Sequence, residues 1–253
     1  MRSFIDLTDG FPFKFDVERM RADLARLNDA ELLSHYDVGL SEGWRAALLV
    51  SKGGQMSGPE SQRPAWITES GTEFQRTPLL HDLPYFREIL DAMHCPQGRI
   101  RILKLAPGGG IGLHRDVGAE IGCFAFDQVR LHVPIITNDR VTFFVGGEKI
   151  KMQPGRLYYV NFSKNHYVKN EGDSARYHLV MDLRVNDWLR QFFPPLTSTE
   201  RFENAWARAV WPYFWKLRWR RTQASILFWR HYNGSVVQRA VHAWRRQRAP
   251  ESN

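Results

Sequence analysis

The chain has little cysteine and no long apolar segment. Its 253 residues include two cysteines, Cys95 and Cys123, which are too few for a disulfide scaffold and lack the spacing of a metal site. No apolar run is long enough to span a bilayer, and residues Met1–Gly10 contain acids and no cleavage signal for secretion. These absences argue against a disulfide-rich secreted domain and an integral membrane protein, and they predict a cytoplasmic protein.

Acidic residues are scarce in the last part of the chain. Residues 200–249 carry eleven lysines and arginines against two glutamates, a net charge of +9 where the whole chain is +8. This segment also holds six of the nine tryptophans: Trp206, Trp211, Trp215, Trp219, Trp229 and Trp244. Apolar residues at helical spacing, such as Phe202, Trp206 and Val210, predict amphipathic helices. The sequence thus predicts two domains, a near-neutral part at 1–198 and a basic helical extension at 199–253.

The basic extension allows three interpretations. Its helices could dock on the rest of the protein or on a protein partner and leave a basic face in solvent. Tryptophan and arginine on opposite helix faces are also typical of binding to an anionic membrane surface. Nucleic acid is the least favoured partner, because aromatic and basic side chains suit it but the sequence contains no recognised nucleic-acid module. The oligomeric state is not predicted.

The most informative motif is a set of polar residues in the middle of the chain. His114 and Asp116 are two positions apart, so on a strand they face the same side. His166 follows Asp116 by 50 residues, and two histidines with one carboxylate are the ligand set typical of non-haem Fe(II) oxygenases. The sequence predicts an iron site at these three residues, with the remaining coordination positions open to cosubstrate and oxygen.

Arg176 follows His166 by ten residues and begins a strand-like run. A dicarboxylic cosubstrate that chelates iron through its keto-acid end needs a fixed cation for its far carboxylate. A guanidinium provides two parallel donors for that carboxylate. Arg176 is therefore the predicted anchor of such a cosubstrate.

Other residues compete for these roles. His132 and His178 each follow an arginine by two positions and share its face, so either could serve as the third metal ligand. If not, a contact with the cosubstrate or with the ligands suits them. Arg130 could pair with Asp127 or Asp182 instead of binding cosubstrate, and Asp182 could be a structural acid near the barrel rim.

Short alternating segments from Arg99 onward predict antiparallel strands. They are Ile100–Leu105, Phe124–Phe126, Gln128–Ile135, Val141–Val145, Glu148–Met152, Arg156–Val160 and Ala175–Leu183. Two glycines at 146–147 predict a hairpin turn. Three consecutive glycines at 108–110 lack the following lysine of a phosphate loop, so they predict a close approach of the backbone to the site.

The residues before this region predict helices and one strand. Asp16 is the predicted N-cap of a helix that continues to Leu27, and Pro84 divides a helical stretch from Leu79 to Met93 into two short helices. A strand is predicted at 44–50, followed by a loop at 53–64 that could border the pocket. The predicted fold is mainly β, a double-stranded β-helix of the jelly-roll or cupin type. Its core lies at about 99–185, with flanking N-terminal helices and a C-terminal basic helical extension.

Residues from about 11 to 193 resemble the aspartyl/asparaginyl β-hydroxylase family of iron and 2-oxoglutarate-dependent oxygenases. The stretches that carry the resemblance are His114-Arg115-Asp116, Arg130-Leu131-His132-Val133-Pro134-Ile135, Pro154-Gly155, His166-Tyr167-Val168-Lys169-Asn170 and Arg176-Tyr177-His178-Leu179-Val180-Met181-Asp182. Together they are more specific than the His-x-Asp triplet alone.

The resemblance implies a set of ligands and an activity. Fe(II) would be held by His114, Asp116 and His166, and 2-oxoglutarate by Arg176 with help from Arg130 and His132. His178 and Asp182 would lie behind these groups or contact the substrate. The expected cofactors are Fe(II), 2-oxoglutarate and O2, with ascorbate as a stimulant.

The substrate class follows less directly from the resemblance. Members that hydroxylate free proline share the His-x-Asp pattern, whereas the animal enzymes that act on aspartate and asparagine in proteins lack the carboxylate ligand. Because Asp116 is present, the peptide substrates of the animal enzymes do not carry over. We expect a hydroxylase of an amino acid, free or in a peptide, which releases succinate and CO2. The alternatives are a hydroxylase of lipid acyl chains located by the basic extension, and a non-catalytic jelly-roll binding protein.

Overall fold

The computed structural model describes residues 2–34, 41–57, 67–114, 116, 127–206 and 208–210. Within them the chain forms eleven strands: β1 (Phe4–Asp6), β2 (Leu33–Ser34), β3 (Ser41–Lys52), β4 (Phe74–Arg76), β5 (Gln97–His114), β6 (Gln128–Ile136), β7 (Val141–Val145), β8 (Glu148–Ile150), β9 (Tyr158–Val160), β10 (His166–Asn170) and β11 (Arg176–Arg184). Before residue 198 the helices are α1 (Val17–Leu24), α2 (Pro84–Asp91) and α3 (Asp187–Arg190), with 3₁₀ turns at Asp29–Glu31 and Pro78–His81.

All the strands belong to one curled antiparallel sheet. Its main path runs β1-β9-β6-β11-β5-β10-β7-β8, and β3 pairs with β5 outside that path. This non-sequential order, closed around an apolar interior, is the double-stranded β-helix that the alternating pattern predicts. The prediction of a mainly β jelly roll is confirmed.

Alternation along the strands separates an outer from an inner core. On β5, Ile100 and Ile102 join the cluster that also contains Phe86 and Leu90 of α2. Leu103 instead belongs to a second cluster, inside the barrel, with residues of β7, β9 and β10. The helices therefore cover the outer face, and the inner face is left to a site.

The helices begin where the sequence predicts. Asp16 caps α1 by accepting hydrogen bonds from the backbone N–H groups of Glu18 and Arg19. Buried Asp23 at the other end of α1 accepts the backbone N–H groups of Tyr85 and Phe86, the first turn of α2, where the helix dipole favours a negative charge. These contacts fix α1 against α2 on the outer face of the sheet.

The buried amide of Asn170 ties together the turn that leads from β10 to β11. Its Nδ2 donates to the carbonyl oxygens of Leu105, Ala106 and Ser174, and its Oδ1 accepts from Gly172 N–H and from Asn138. Five hydrogen bonds from one side chain hold the 171–175 turn against β5 and against the loop before β7.

The predicted strands agree with the structure in the second half of the chain and differ near the site. β7 has the predicted bounds, and both glycines at 146–147 have positive φ. β10 was not predicted as a strand, and β5 continues to His114 instead of ending at Leu105. The predicted strand at 124–126 lies outside the described residues, as does most of the predicted loop at 53–64.

The described part of the C-terminal segment is helical at 198–206 and 208–210. Glu200 and Asn204 are buried, and Glu200 accepts hydrogen bonds from the N–H groups of Arg2 and Thr197. The residues to Asn204 form one compact unit, and the predicted boundary at 198/199 stays a prediction. The amphipathic pattern beyond 210 falls outside the described residues, and among those described no helix is long and apolar enough to cross a membrane.

Candidate metal centre and cosubstrate site

Two strands and the segment after the first of them bring the predicted metal ligands together. His114 ends β5 and pairs directly with His166, the first residue of β10. Asp116 follows β5, and its N–H donates to the carbonyl oxygen of Phe162. The Nε2 atoms of both histidines lie 3.6 Å from Asp116 Oδ1, and one ligand atom from each residue fits within 4.8 Å of the others. The fold thus brings His166, 50 positions after Asp116 in the sequence, into the same site.

Both imidazole rings have the orientation that a metal requires. Nδ1 of His114 lies 2.7 Å from the carbonyl oxygen of Gly112, and Nδ1 of His166 lies 2.9 Å from that of Lys164. Each Nδ1–H therefore donates to the backbone, which leaves Nε2 unprotonated and facing Asp116. Burial lowers the pKa of His166, which also favours the neutral ring. This donor set fits a divalent iron ion.

A buried charge cluster lies beside this centre. The Asp182 carboxylate is contacted by Arg130 at 2.5 Å, Arg101 at 2.9 Å and Arg99 at 3.7 Å. Burial alone would raise the pKa of Asp182, but the three arginines hold it well below its usual range. Arg130 Nη1 also donates to Asp116 at 2.6 Å. Arg130 therefore joins the cluster to the candidate metal ligand.

Arg176 lies deeper in the barrel, in a different environment. Its guanidinium is 1% exposed, and it contacts His178 at 3.0 and 2.8 Å and the Phe143 ring, whose centroid is 5.7 Å away. No carboxylate of the described residues lies within ion-pair distance of it. Burial lowers the pKa of Arg176 to about 9, so it still carries its charge at neutral pH. A buried cation without a counter-charge among these residues fits an anionic ligand.

Two neutral histidines connect Arg176 with the metal centre. Their Nδ1 atoms lie 3.4 Å apart, and the His132 ring stacks on Phe162, which in turn contacts His166 edge-on. Burial, reinforced by Arg176, lowers the pKa of both His132 and His178 well below the usual value. Nε2 of His132 is buried and has no hydrogen-bond partner among the described residues. It would accommodate a polar group of a bound cosubstrate.

A family model described as aspartyl/asparaginyl beta-hydroxylase matches residues 14–185, more than half of the chain. The chain belongs to this family. The resemblance drawn from the five sequence stretches is therefore confirmed. In this member of the aspartyl/asparaginyl β-hydroxylase family, the site described above is formed by residues from β5, β10 and β11.

Named relatives are distant from this family member. An L-proline cis-4-hydroxylase of Rhizobium meliloti (strain 1021) is 24% identical over 193 residues, which are 74% of this chain and 65% of the relative. The chain therefore spans a little less than two thirds of that protein. Among solved structures, a 2OG-Fe(II) oxygenase family oxidoreductase of Burkholderia pseudomallei is 16% identical, with TM-score 0.43 over 66% of this chain and 78% of the other. A Pseudomonas putida prolyl-4-hydroxylase is 12% identical, with TM-score 0.42 over 74% and 94%.

Within this family member, the structure separates the residues that sequence reasoning left as alternatives. His166, and neither His132 nor His178, lies with His114 and Asp116. Arg130 pairs with Asp182, which was its predicted alternative, and it also reaches Asp116. The roles of these residues in binding iron and cosubstrate stay predictions.

Two residues of the charge cluster were missed from the sequence. Arg99 and Arg101 are buried, and they alternate with the outer-core residues Ile100 and Ile102. Two arginines that alternate with isoleucines are the signal that could have identified them, because they share the inner face with Leu103.

Proposed function

We propose that this protein is an Fe(II)/2-oxoglutarate-dependent hydroxylase that oxidises an unactivated C–H bond of an amino acid, free or in a peptide, with release of succinate and CO2. The observation that carries the proposal is the pairing of His114 with His166 around Asp116. Arg176 lies further inside the same barrel, without a counter-charge among the described residues.

The described residues include candidates to bind both the iron and the 2-oxoglutarate. His114, Asp116 and His166 would bind iron through two Nε2 atoms and a carboxylate, and Arg176 would bind the far carboxylate of 2-oxoglutarate through its fork of donors. His132, with a buried Nε2 that lacks a partner among the described residues, and Arg130 would support the cosubstrate. Bound iron with its cosubstrate would supply the oxidising power for the C–H bond.

The protein's own contribution is orientation and exclusion of water. Backbone carbonyls fix both ligand rings in the correct tautomer. Phe143 and Phe162, both buried, line the interior between the metal centre and Arg176. His132 and His178 stay neutral, so they add no charge that would compete with Arg176 for the cosubstrate.

The amino-acid substrate rests on two lines of support. One is Asp116, which the free-proline hydroxylases of the family share and the animal protein hydroxylases lack. The other is the distant relative named as an L-proline cis-4-hydroxylase. No described feature favours a lipid acyl chain as substrate. The orientation of the His114 and His166 rings argues against a purely non-catalytic barrel.

The first prediction tests the metal centre. His114→Ala, Asp116→Ala and His166→Ala should each remove Fe(II) binding, because two remaining ligands hold the ion poorly. His178→Ala is the matched control and should keep stoichiometric metal. Anaerobic titration with Fe(II) measures binding, and mass spectrometry of products from a panel of amino acids and peptides, after 2-oxoglutarate and O2 are added, measures activity. Loss of iron in His178→Ala with retention in His166→Ala would contradict the ligand assignment.

We also propose that the C-terminal segment locates the protein on an anionic membrane surface. Phe202 and Trp206, one helical turn apart, are 70% and 60% exposed, and the sequence that follows is strongly basic. The double variant Phe202→Ser/Trp206→Ser should reduce co-sedimentation with anionic vesicles by several-fold at low salt, while metal binding stays unchanged. Equal sedimentation of the double variant and the unsubstituted protein would contradict this proposal. If the unsubstituted protein bound oligonucleotides and not vesicles, nucleic acid would be the favoured partner.

A further inference from the structure

A cleft of about 380 Å³ enters the barrel between the β6–β7 loop and the segment that follows β8. Its outer part is formed by exposed side chains, including Lys151 and Gln153, and its inner part by Phe143, Arg176 and His178. Small-molecule pockets typically occupy ~300–1,000 Å³. The cleft is therefore large enough for a small dicarboxylate, and none of the three candidate metal ligands lines it.

The cleft opens at the opposite end of the barrel from the metal centre. His166 begins β10 opposite Val145 of β7, and Asn170 ends it opposite Val141, a cleft-lining residue. Four residues of strand separate these ends by roughly 13 Å, at about 3.3 Å per residue. Arg176 pairs with Leu105, whose carbonyl oxygen also binds Asn170. The backbone of Arg176 is thus held at the cleft end of the barrel, and its guanidinium Nε donates a hydrogen bond to His178.

The charges along the cleft favour an anion. Among the described residues that line it, Arg176 is the one deeply buried charge, and no carboxylate of the described residues lies within ion-pair distance of this cation. At the outer edge, the Lys151 side chain is 83% exposed, and its Nζ lies 3.6 Å from Asp139, which is 98% exposed. That pair is in water and is weak, whereas an uncompensated buried cation attracts anions strongly.

We propose that this cleft is a second entrance to the cosubstrate site, through which small dicarboxylates reach and leave Arg176 without passing the metal centre. The inference rests on the proposed function. Its consequence is that the dicarboxylate product can leave while the oxidised substrate still occupies the other end of the barrel. Substrate and cosubstrate then need no fixed order of arrival.

Reversible blocking of the outer edge tests the route. Gln153→Cys in a Cys123→Ser background would be labelled with a bulky neutral methanethiosulfonate. Burial raises the pKa of Cys95 to about 12, so this thiol reacts slowly. The readout is binding and not turnover: anaerobic stopped-flow absorbance of 2-oxoglutarate chelating Fe(II) in the metal-loaded full chain. The matched control is Gln75→Cys, exposed on β4 and outside the cleft.

Labelling at 153 should slow both association and dissociation of 2-oxoglutarate by about tenfold, with Kd nearly unchanged, because blocking a route alters rates and not the bound state. Reduction of the label should restore both rates, and labelling at 75 should change neither. An unchanged association rate, or a weaker Kd at an unchanged association rate, overturns the second entrance. Absence of 2-oxoglutarate binding in the unlabelled protein would instead overturn the proposed function.

A second variant keeps the inference testable if Gln153→Cys does not fold. Lys151→Gln removes the exposed cation at the outer edge and should lower the association rate and its dependence on ionic strength. Lys52→Gln, on β3 and away from the cleft, is the matched control. Equal salt dependence in the two variants contradicts the route.

Discussion

The barrel contains two buried arginine environments with different counter-charges. Arg130, Arg101 and Arg99 surround Asp182, and Arg130 also reaches Asp116. Arg176, equally buried, has only a neutral histidine and an aromatic ring beside it among the described residues. Each arginine of the cluster lies within 4 Å of a carboxylate, whereas a buried cation that has none among the described residues indicates a place for an anionic ligand. The comparison therefore distinguishes, within one sheet, arginines that pair with a carboxylate of the protein from an arginine that is available to an anionic ligand.

Removal of the central carboxylate should produce the largest effect. Asp182→Asn leaves three buried arginines without their shared anion, so the free energy of unfolding should fall by about 3–5 kcal/mol. Chemical denaturation of the metal-free protein measures it. Glu88→Gln, which breaks the exposed pair with Arg19, is the matched control and should leave the midpoint unchanged. A stability loss no larger than that of the control would show that Asp182 is not the centre of the cluster.

Substitutions of Arg176 should act on ligand binding and spare the fold. Arg176→Lys should weaken 2-oxoglutarate by about a hundredfold, or ~2.7 kcal/mol, because an ammonium cannot reproduce the forked contact. Arg176→Met removes a buried charge, so the metal-free protein should be at least as stable as the original. Isothermal titration and denaturation measure the two quantities. If Arg176→Met destabilises the protein as Asp182→Asn does, the two environments are not different in kind.

Acid should affect the two regions in separate pH windows. Burial lowers the pKa of His132 and His178 well below 6.5, so the unfolded chain binds protons that the folded protein excludes. Stability should therefore fall as the pH drops below 6.5, by up to about 1.4 kcal/mol per pH unit for each histidine. The lowered pKa of Asp182 contributes stability that is present above its unfolded value of 3.8 and is lost only at more acidic pH.

Denaturation of the metal-free protein at pH values from 8 to 4 would resolve the first window. His178→Gln should reduce the slope below pH 6.5, and His81→Gln, at an exposed position, should not. An unchanged slope in His178→Gln would show that the ring is not held neutral by its surroundings.

The sequence predicted those parts of the fold in which local pattern and packing agree. The hairpin at 146–147, the Asp16 cap and the bounds of β7 follow from glycine, capping and alternation. The inner residues of β10 include His166 and Asn170, so its pattern lacks the apolar periodicity of a strand. β5 passes through three glycines, which local propensity assigns to a loop.

Tertiary contacts explain the difference at those glycines. A side chain at Gly110 would lie 2.9 Å from the carbonyl oxygen of Val168, because β5 approaches β10 closely where Gly110 pairs with Lys169. This close approach joins two strands, three residues along β10 from His166, and the predicted approach of the glycines to the site stays a prediction. The candidate site could be predicted from the sequence, because few residue types and spacings suit a set of metal ligands. The carboxylates that pair with its arginines could not be predicted, because ion pairing depends on strand register.

The turn tied by Asn170 also determines how the chain tolerates changes in length. The buried amide fixes the backbone between β10 and β11, and side chains on β11 alternate between the two faces. Deletion of one residue from the 171–175 turn would present Tyr177 to the interior in place of Arg176 and would turn His178 and Asp182 to the outer face. A change of one residue in the ten-residue interval from His166 to Arg176 would therefore remove Arg176 from the interior without altering any of the side chains that form the site.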